Sequence, residues 1–113
     1  MLETRLTKLL GCRYPIVQTA MGWVADPKLV SASCNAGAIG FLAGATIPAD
    51  ELEANIQELK SLTDRPFGIN FHMYQANAED IVDLVVSYKI SAVSYSRSPG
   101  KDMIRRLKKA NVV

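Results

Sequence analysis

Four times along 113 residues, a short apolar run gives way to a small-residue turn and then to a helical pattern. The unit recurs at a spacing of about 25 residues, the rhythm of a parallel sheet in which each strand is followed by a crossover helix. Ahead of the first unit, residues 2–10 form a short amphipathic helix or cap. Leu6, Leu9 and Leu10 recur at helical spacing and Gly11 ends it.

The first strand is expected over Pro15 to Ala20, β-branched at Ile16 and Val17. The helix that follows runs from Pro27 to Ala36. Asp26 is a natural N-cap, Pro27 suits the first helical position and Gly37 suits a left-handed stop, with Leu29, Val30, Ser33 and Ala36 as its inward stripe. Ala38 to Leu42 is a buried strand. Pro48 opens a helix whose Leu52, Ile56 and Leu59 face inward, with acidic residues in its first turn and Lys60 near its end. Phe67 to His72 is the third strand, and Asn77 caps the next helix with Asp80 three residues on. That helix should bury Ile81, Leu84, Val85 and Tyr88. Ile90 to Tyr95 is the fourth strand, and Pro99-Gly100 turns into a last helix with Met103, Ile104 and Leu107 inward. Arg105, Arg106, Lys108 and Lys109 read as its solvated face. Asn111 to Val113 reads as the first step of a fifth strand. Two α/β architectures share this rhythm: a complete flavodoxin-like sheet, and the parallel (βα)4 first half of a (βα)8 TIM barrel, which normally needs ~250 residues. Periodicity does not choose between them.

Composition narrows the partners. A net charge of +2 and few aromatics leave no basic, aromatic-interleaved face, so no nucleic-acid partner is expected. No apolar run approaches the ~20 residues that span a bilayer, and the charged start lacks a signal-type apolar core. A soluble cytoplasmic protein is the expectation, without membrane partner. One His and the distant Cys12 and Cys34 give neither metal-ligand spacing nor a disulfide framework.

The stretch with the most chemical promise is Tyr14 to Asp26, YPIVQTAMGWVAD. It is a strand, a small-residue loop and a helix start. Its loop lies at the carboxyl end of the strand, where parallel α/β proteins place ligands. Gly22 has no Cβ to keep a ligand from the backbone. On the third strand, Phe67, Ile69 and Phe71 share one face, suited to packing under helices. Gly68, Asn70 and His72 share the other.

Three segments together carry a family resemblance: L-G-x-x-Y-P-I-x-Q at the start, N-A-G-x-x-G-F-L-x-G from Asn35 to Gly44, and L-T-D-R-P-F-G-I-N from Leu62 to Asn70. In this order they resemble the nitronate monooxygenases, once called 2-nitropropane dioxygenases, and the related flavin-dependent enoyl reductases. The likeness covers nearly the whole chain. It implies a TIM barrel that binds FMN and a small-molecule substrate, with the loop after the first strand against the isoalloxazine ring. Here that loop is Ala20, Met21 and Gly22. It also implies that the Asn closing the third strand, Asn70, hydrogen-bonds the flavin. The activity implied is oxidation of an alkyl nitronate by flavin and dioxygen. The runner-up is reduction of an enoyl thioester, and the rival from another class is a non-catalytic half-barrel or interaction module.

The chain departs from the family pattern in places. The family's catalytic His and phosphate-binding glycine loops belong to the second half of the barrel, so no catalytic residue is assigned. His72, on the third strand, is read as pocket lining or packing. Thr19-Ala20-Met21 stands where the family usually has Ala-Pro-Met or Gly-Gly-Met. Where the family's fourth strand tends to end in small, glycine-rich residues before a proline, this one reads Ser94-Tyr95-Ser96-Arg97-Ser98-Pro99, which puts a bulky Tyr and a charged Arg at the pocket rim. Arg97 is either a solvated loop residue or a receiver of an anionic group. Gly44 and Ser94 to Arg97 are expected on the same rim as Asn70. Half a barrel also leaves two free sheet edges and an open inner face at Val17, Ile39 or Phe41, and Val93, so self-association is expected of these residues by themselves.

Overall fold

The computed structural model describes residues 2–72, 75–97 and 100–113. Its elements are α1 (Arg5–Leu10), β1 (Val17–Gln18), α2 (Pro27–Asn35), β2 (Ile39–Ala43), α3 (Ala49–Leu62), β3 (Gly68–His72), α4 (Ala78–Ser87), β4 (Ala92–Ser96) and α5 (Lys101–Lys109). The strands form one parallel sheet in the order β1-β2-β3-β4. A flavodoxin-like sheet would place its second strand outside the first. Sequential order is therefore that of a (βα)4 half-barrel, with β1 at one edge. At the other edge Val113 N–H donates to the Ser91 carbonyl (3.0 Å) and the Val113 carbonyl accepts from Val93 N–H (2.9 Å). That pair of bonds lays Val113 alongside β4, although residues 111–113 do not themselves form a strand.

β1 is shorter than the expected Pro15–Ala20. Ile16 still accepts from Ile39 N–H, but the N–H groups of Arg13 and Tyr14 both turn to the Gly37 carbonyl (2.9 Å each). The backbone before β1 is thus spent on a junction with the α2–β2 turn. Gly37 holds φ +107°, and a Cβ there would lie 2.8 Å from the Tyr14 ring. Close by, Thr63 Oγ1 donates to Asn35 Oδ1 (2.6 Å) and Asn35 Nδ2 donates to the Leu62 carbonyl (3.1 Å). These bonds tie the carboxyl ends of α2 and α3 together.

Between sheet and helices lies the main core, with Val30, Leu42, Ile56, Ile69, Phe71 and Val85 fully buried. Each such side chain contributes roughly 1.5–3 kcal/mol relative to exposure. α3 buries Leu52, Ile56 and Leu59 as its periodicity predicts. α2 buries Pro27, Val30, Ser31 and Cys34, while the expected Ala36 is exposed beyond its last turn. α4 buries Ala78, Ile81, Val82 and Val85. Its Tyr88 is half-buried because its hydroxyl reaches out to donate to Glu53 (2.7 Å) and accept from Gln57 (2.9 Å). In α5 only Leu107 is fully buried, Met103 is half-buried, and Ile104 is exposed beside the basic face. There Arg106 pairs with Asp83 and Glu79 of α4.

The caps are partly as expected. Asp26 accepts from Leu29 N–H (3.0 Å), and Gly11 stops α1 in the left-handed region. Asn77 stands at the N-cap of α4, but its side chain accepts from Gln75 Nε2 (2.6 Å) and caps nothing. Thr4 and Thr7 make a reciprocal capping box for α1. The turn residue Pro99 lies outside the described residues.

The axis-facing side of the sheet is better covered than a bare half-barrel implies. Leu10, at the end of α1, packs with Ile39, Phe41 and Ala92. Ile39 is fully buried and Phe41 nearly so. Val93 pairs in register with Ile69 and packs on the helix side, not the axis side. Val17 and Ile16 remain exposed at the β1 edge, as do Leu6 and Leu9 of α1, whose helical spacing had suggested burial.

Gly37→Ala is expected to lose about 1–3 kcal/mol, because a Cβ meets both the positive φ and the Tyr14 ring. Urea denaturation measures this. An unchanged midpoint would mean that the junction tolerates a Cβ and does not set the entry to β1.

Candidate functional site at the carboxyl ends of the strands

The registers divide the strand residues between two faces. Phe41, Gly68 and Ala92 are in line across the sheet, as are Ala43, Asn70 and Ser94 one step nearer the carboxyl ends. With Phe41 and Ala92 in the axis-side cluster, Asn70 and Ser94 stand above it on the axis side. Gly68 lacks a Cβ because the Phe41 ring lies over it.

Above this apolar floor is a hollow of about 310 Å³, lined by Leu10, Val17, Thr19, Ala20, Phe41, Asn70, Ser94 and Ser96. Ala20 and Asn70 therefore share one cavity, with Ser94 and Ser96 beside them. Asn70 Nδ2 donates to the Ser94 carbonyl (3.1 Å) and to Ser94 Oγ (2.9 Å). Ser96 Oγ donates weakly to Asn70 Oδ1 (3.5 Å). Gly44 belongs to the same rim, for a Cβ there would lie 2.7 Å from the Asn70 carbonyl.

Met21 and Gly22 sit on the loop above β1 and are exposed, outside the lining of this hollow. The Met21 carbonyl accepts from the N–H groups of Val24 (3.0 Å) and Ala25 (2.8 Å), which makes the loop a tight turn. What a Cβ on Gly22 would meet is the Thr46 methyl at 3.0 Å. Thr46 also accepts from Trp23 N–H (3.3 Å) and donates to the Ala43 carbonyl (3.2 Å). Thr46 is thus the residue that holds the loop after β1 against the loop after β2. Its signal in the sequence is only a hydroxyl two residues past Gly44. Trp23 emerges from the turn with φ +60° and is 88% exposed.

Tyr95 is corrected by its register. It pairs with Phe71, not with Asn70, so its ring packs on the helix side with centroids 4.6 Å apart. It is no part of the pocket rim. Its hydroxyl is buried without a hydrogen-bond partner, and burial pushes its pKa up to about 12. Cys34, under α2, likewise has its thiol pushed up by burial, against the opposing effect of Gly40 N–H donating to its sulfur (3.3 Å). Both belong to the core. His72 is half-buried at the end of β3, where its N–H donates to Gln75 Oε1 (2.6 Å). Arg97 is exposed with φ +114°. Among the described residues no three His, Cys, Asp or Glu gather as metal ligands, and no helix is long and apolar enough to cross a membrane.

The sequence profile of the nitronate monooxygenase family matches residues 3–112. The chain belongs to the nitronate monooxygenase family. Within it, the chain is 46% identical over 112 residues to the (3aS,4S,5R,7aS)-5-hydroxy-7a-methyl-1-oxo-octahydro-1H-indene-4-carboxyl-CoA dehydrogenase of Mycobacterium tuberculosis, covering 99% of this chain and 32% of that protein. It is 38% identical over 76 residues to the nitronate monooxygenase of Pseudomonas aeruginosa, covering 67% of this chain and 22% of that one. Among solved structures, FabK from Thermotoga maritima superposes with a TM-score of 0.92 at 31% identity, covering 99% of this chain and 36% of FabK. The chain thus spans about a third or less of these relatives, and its four βα units correspond to part of a TIM-barrel oxidoreductase.

Tyr95 yields a prediction with a sign. Its folded-state pKa lies above the ordinary phenol value of 10. Its contribution to stability is therefore fully present below about pH 10 and is lost as pH rises toward about 12. Tyr95→Phe removes the unpartnered hydroxyl and this titration together. The variant should be at least as stable as the parent at neutral pH and lose less on alkaline titration, followed by circular dichroism. A variant that loses as much above pH 10 as the parent would assign the alkaline limb elsewhere.

Proposed function

We propose that the chain forms the amino-terminal half of the flavin site of an FMN-dependent oxidoreductase. One observation carries this reading: a hollow with apolar walls, an amide and two serine hydroxyls, all at the carboxyl ends of parallel strands. A flavin ring has apolar faces and an edge that mixes carbonyl oxygens with N–H groups. It needs a flat wall and a few aimed polar groups. Ala20 and Phe41 fit the wall, the hydrogen-bonded Asn70–Ser94 pair fits the edge, and Met21, with Gly22 beside it, fits a polarizable lip above. Bound FMN supplies the hydride and electron chemistry. The chain's own work is to seat the ring, orient its edge and keep water from the floor formed by Leu10, Ile39 and Phe41.

The relatives divide over substrate. Identity extends along the whole chain for the CoA-thioester dehydrogenase, and along two thirds of it for the nitronate monooxygenase. That difference favours a coenzyme A thioester, the class of the runner-up in the sequence reading, as the small-molecule substrate. Nitronate oxidation is the second reading, favoured by the family description itself. The test is FMN titration, followed by two assays in a complete barrel that begins with these residues. Oxidation of a hydroxyacyl-CoA with an artificial electron acceptor is the expected activity. Nitrite release from an alkyl nitronate without thioester oxidation would return the nitronate reading to first place. Absence of FMN binding would remove the flavin reading altogether.

For the 113 residues by themselves, we propose self-association and no turnover. The β1 edge, with Ile16 and Val17 exposed, and the β4 edge, with 44%-exposed Val113, carry no charged strand residue to discourage pairing. Analytical ultracentrifugation should show a dimer or larger species, and oxygen uptake with FMN and alkyl nitronate should stay at background. A monomer with robust turnover contradicts both.

A further inference from the structure

Asn70 is the polar residue that the family resemblance assigns to the flavin, yet its donors are already committed. A side-chain amide has two N–H hydrogens. Here one goes to the Ser94 carbonyl (3.1 Å) and the other to Ser94 Oγ (2.9 Å). The orientation of the amide is fixed by chemistry, since a main-chain carbonyl only accepts and so must face the nitrogen. What Asn70 retains is its Oδ1, which faces Ser96 Oγ at 3.5 Å.

The remaining donor is on Ser94. Its oxygen accepts from Asn70, so its own hydrogen is turned away from the amide. No described residue accepts that hydrogen. Ser94 lines the hollow directly, in register with Asn70, and Ala20 belongs to the same lining. An accepted hydrogen bond also polarises a hydroxyl and strengthens the one it donates.

We propose that the Ser94 hydroxyl is the donor that meets a carbonyl oxygen of the molecule bound in this hollow, and that Asn70 is a positioning residue that aims it. The proposal rests on the reading of the hollow as a flavin or thioester site. Two ligands bring such an oxygen: the isoalloxazine ring, through its ring carbonyls, and an acyl-CoA, through its thioester carbonyl.

The experiment titrates the protein with lumiflavin, which keeps the ring and lacks the phosphate, and separately with butyryl-CoA by calorimetry. Ser94→Ala should weaken one of the two by roughly five- to a hundred-fold, the size of one good hydrogen bond to a buried partner. Weaker lumiflavin assigns the ring carbonyl, and weaker butyryl-CoA alone assigns the thioester. Ser94→Thr keeps the hydroxyl and should restore binding. This separates loss of the donor from loss of the fold. Asn70→Ala should weaken the same ligand, and combining it with Ser94→Ala should cost little more than Ser94→Ala alone. Parental affinity for both ligands in Ser94→Ala overturns the proposal. So do effects of Asn70→Ala and Ser94→Ala that add, since each residue would then touch the ligand by itself. A parent protein that binds neither ligand overturns the reading of the hollow as well. That outcome is distinct, because it appears before any substitution is made.

Discussion

The parallel sheet starts from the entry of the chain into β1, and that entry is held at Gly37. One carbonyl accepts two N–H groups, from Arg13 and Tyr14, while the Tyr14 ring occupies the space that a side chain at position 37 would need. The contact joins the first family segment to the second. The Asn35–Thr63 pair then joins the second to the third. The three segments that resemble the family therefore meet in one junction at the amino-terminal end of the sheet, and the second and third run on from it to Gly44 and Asn70 at the opposite rim. Their spacing is conspicuous in the sequence because backbone geometry requires it. The groups proposed to touch a ligand lie at the opposite end, Asn70 at the close of the third segment among them.

This separation explains what the sequence made legible. Strand number, parallel pairing, the helix-side face of β3 and the inward stripe of α3 follow from hydrophobic period and turn chemistry. So does the alternation that sets Gly68, Asn70 and His72 apart from Ile69 and Phe71. The choice between half-barrel and flavodoxin order did not follow, because both use the same βα rhythm. The resemblance supplied that choice, and the β1-β2-β3-β4 order bears it out.

The departures have physical causes. Tyr95 reads as a rim residue if the end of β4 is taken as a block. Alternation carries it to the helix side, where it meets Phe71, and leaves Ser94 and Ser96 to the hollow. The inner face reads as open because a half-barrel has no opposite wall, yet α1 lays Leu10 across its floor. A leucine at the end of a short helix says nothing of what it will cover. Leu6 and Leu9, at equally good spacing, stay partly exposed. Asn77 has the right side chain in the right place for a cap and spends it on Gln75. The local rule names a capability, and the nearest competing donor decides its use.

The same reasoning applies to function. An asparagine at the end of a strand facing the axis looks like a ligand group, and the resemblance says as much. The amide's hydrogens, however, are turned to Ser94. Two acceptors on Ser94 take the N–H groups of the amide, and on the proposed reading the strand beside it supplies the donor. On the proposed reading Asn70 keeps its place in the lining, while the donor that meets the ligand is a hydroxyl. A hydroxyl on a short side chain has one rotor and one hydrogen, and here its lone pair is already occupied by a fixed N–H. Its remaining freedom is therefore small. Such a donor suits an acceptor at a definite place, as a carbonyl in a rigid ring or in a thioester held by its carrier provides, better than it suits a freely rotating solvent molecule.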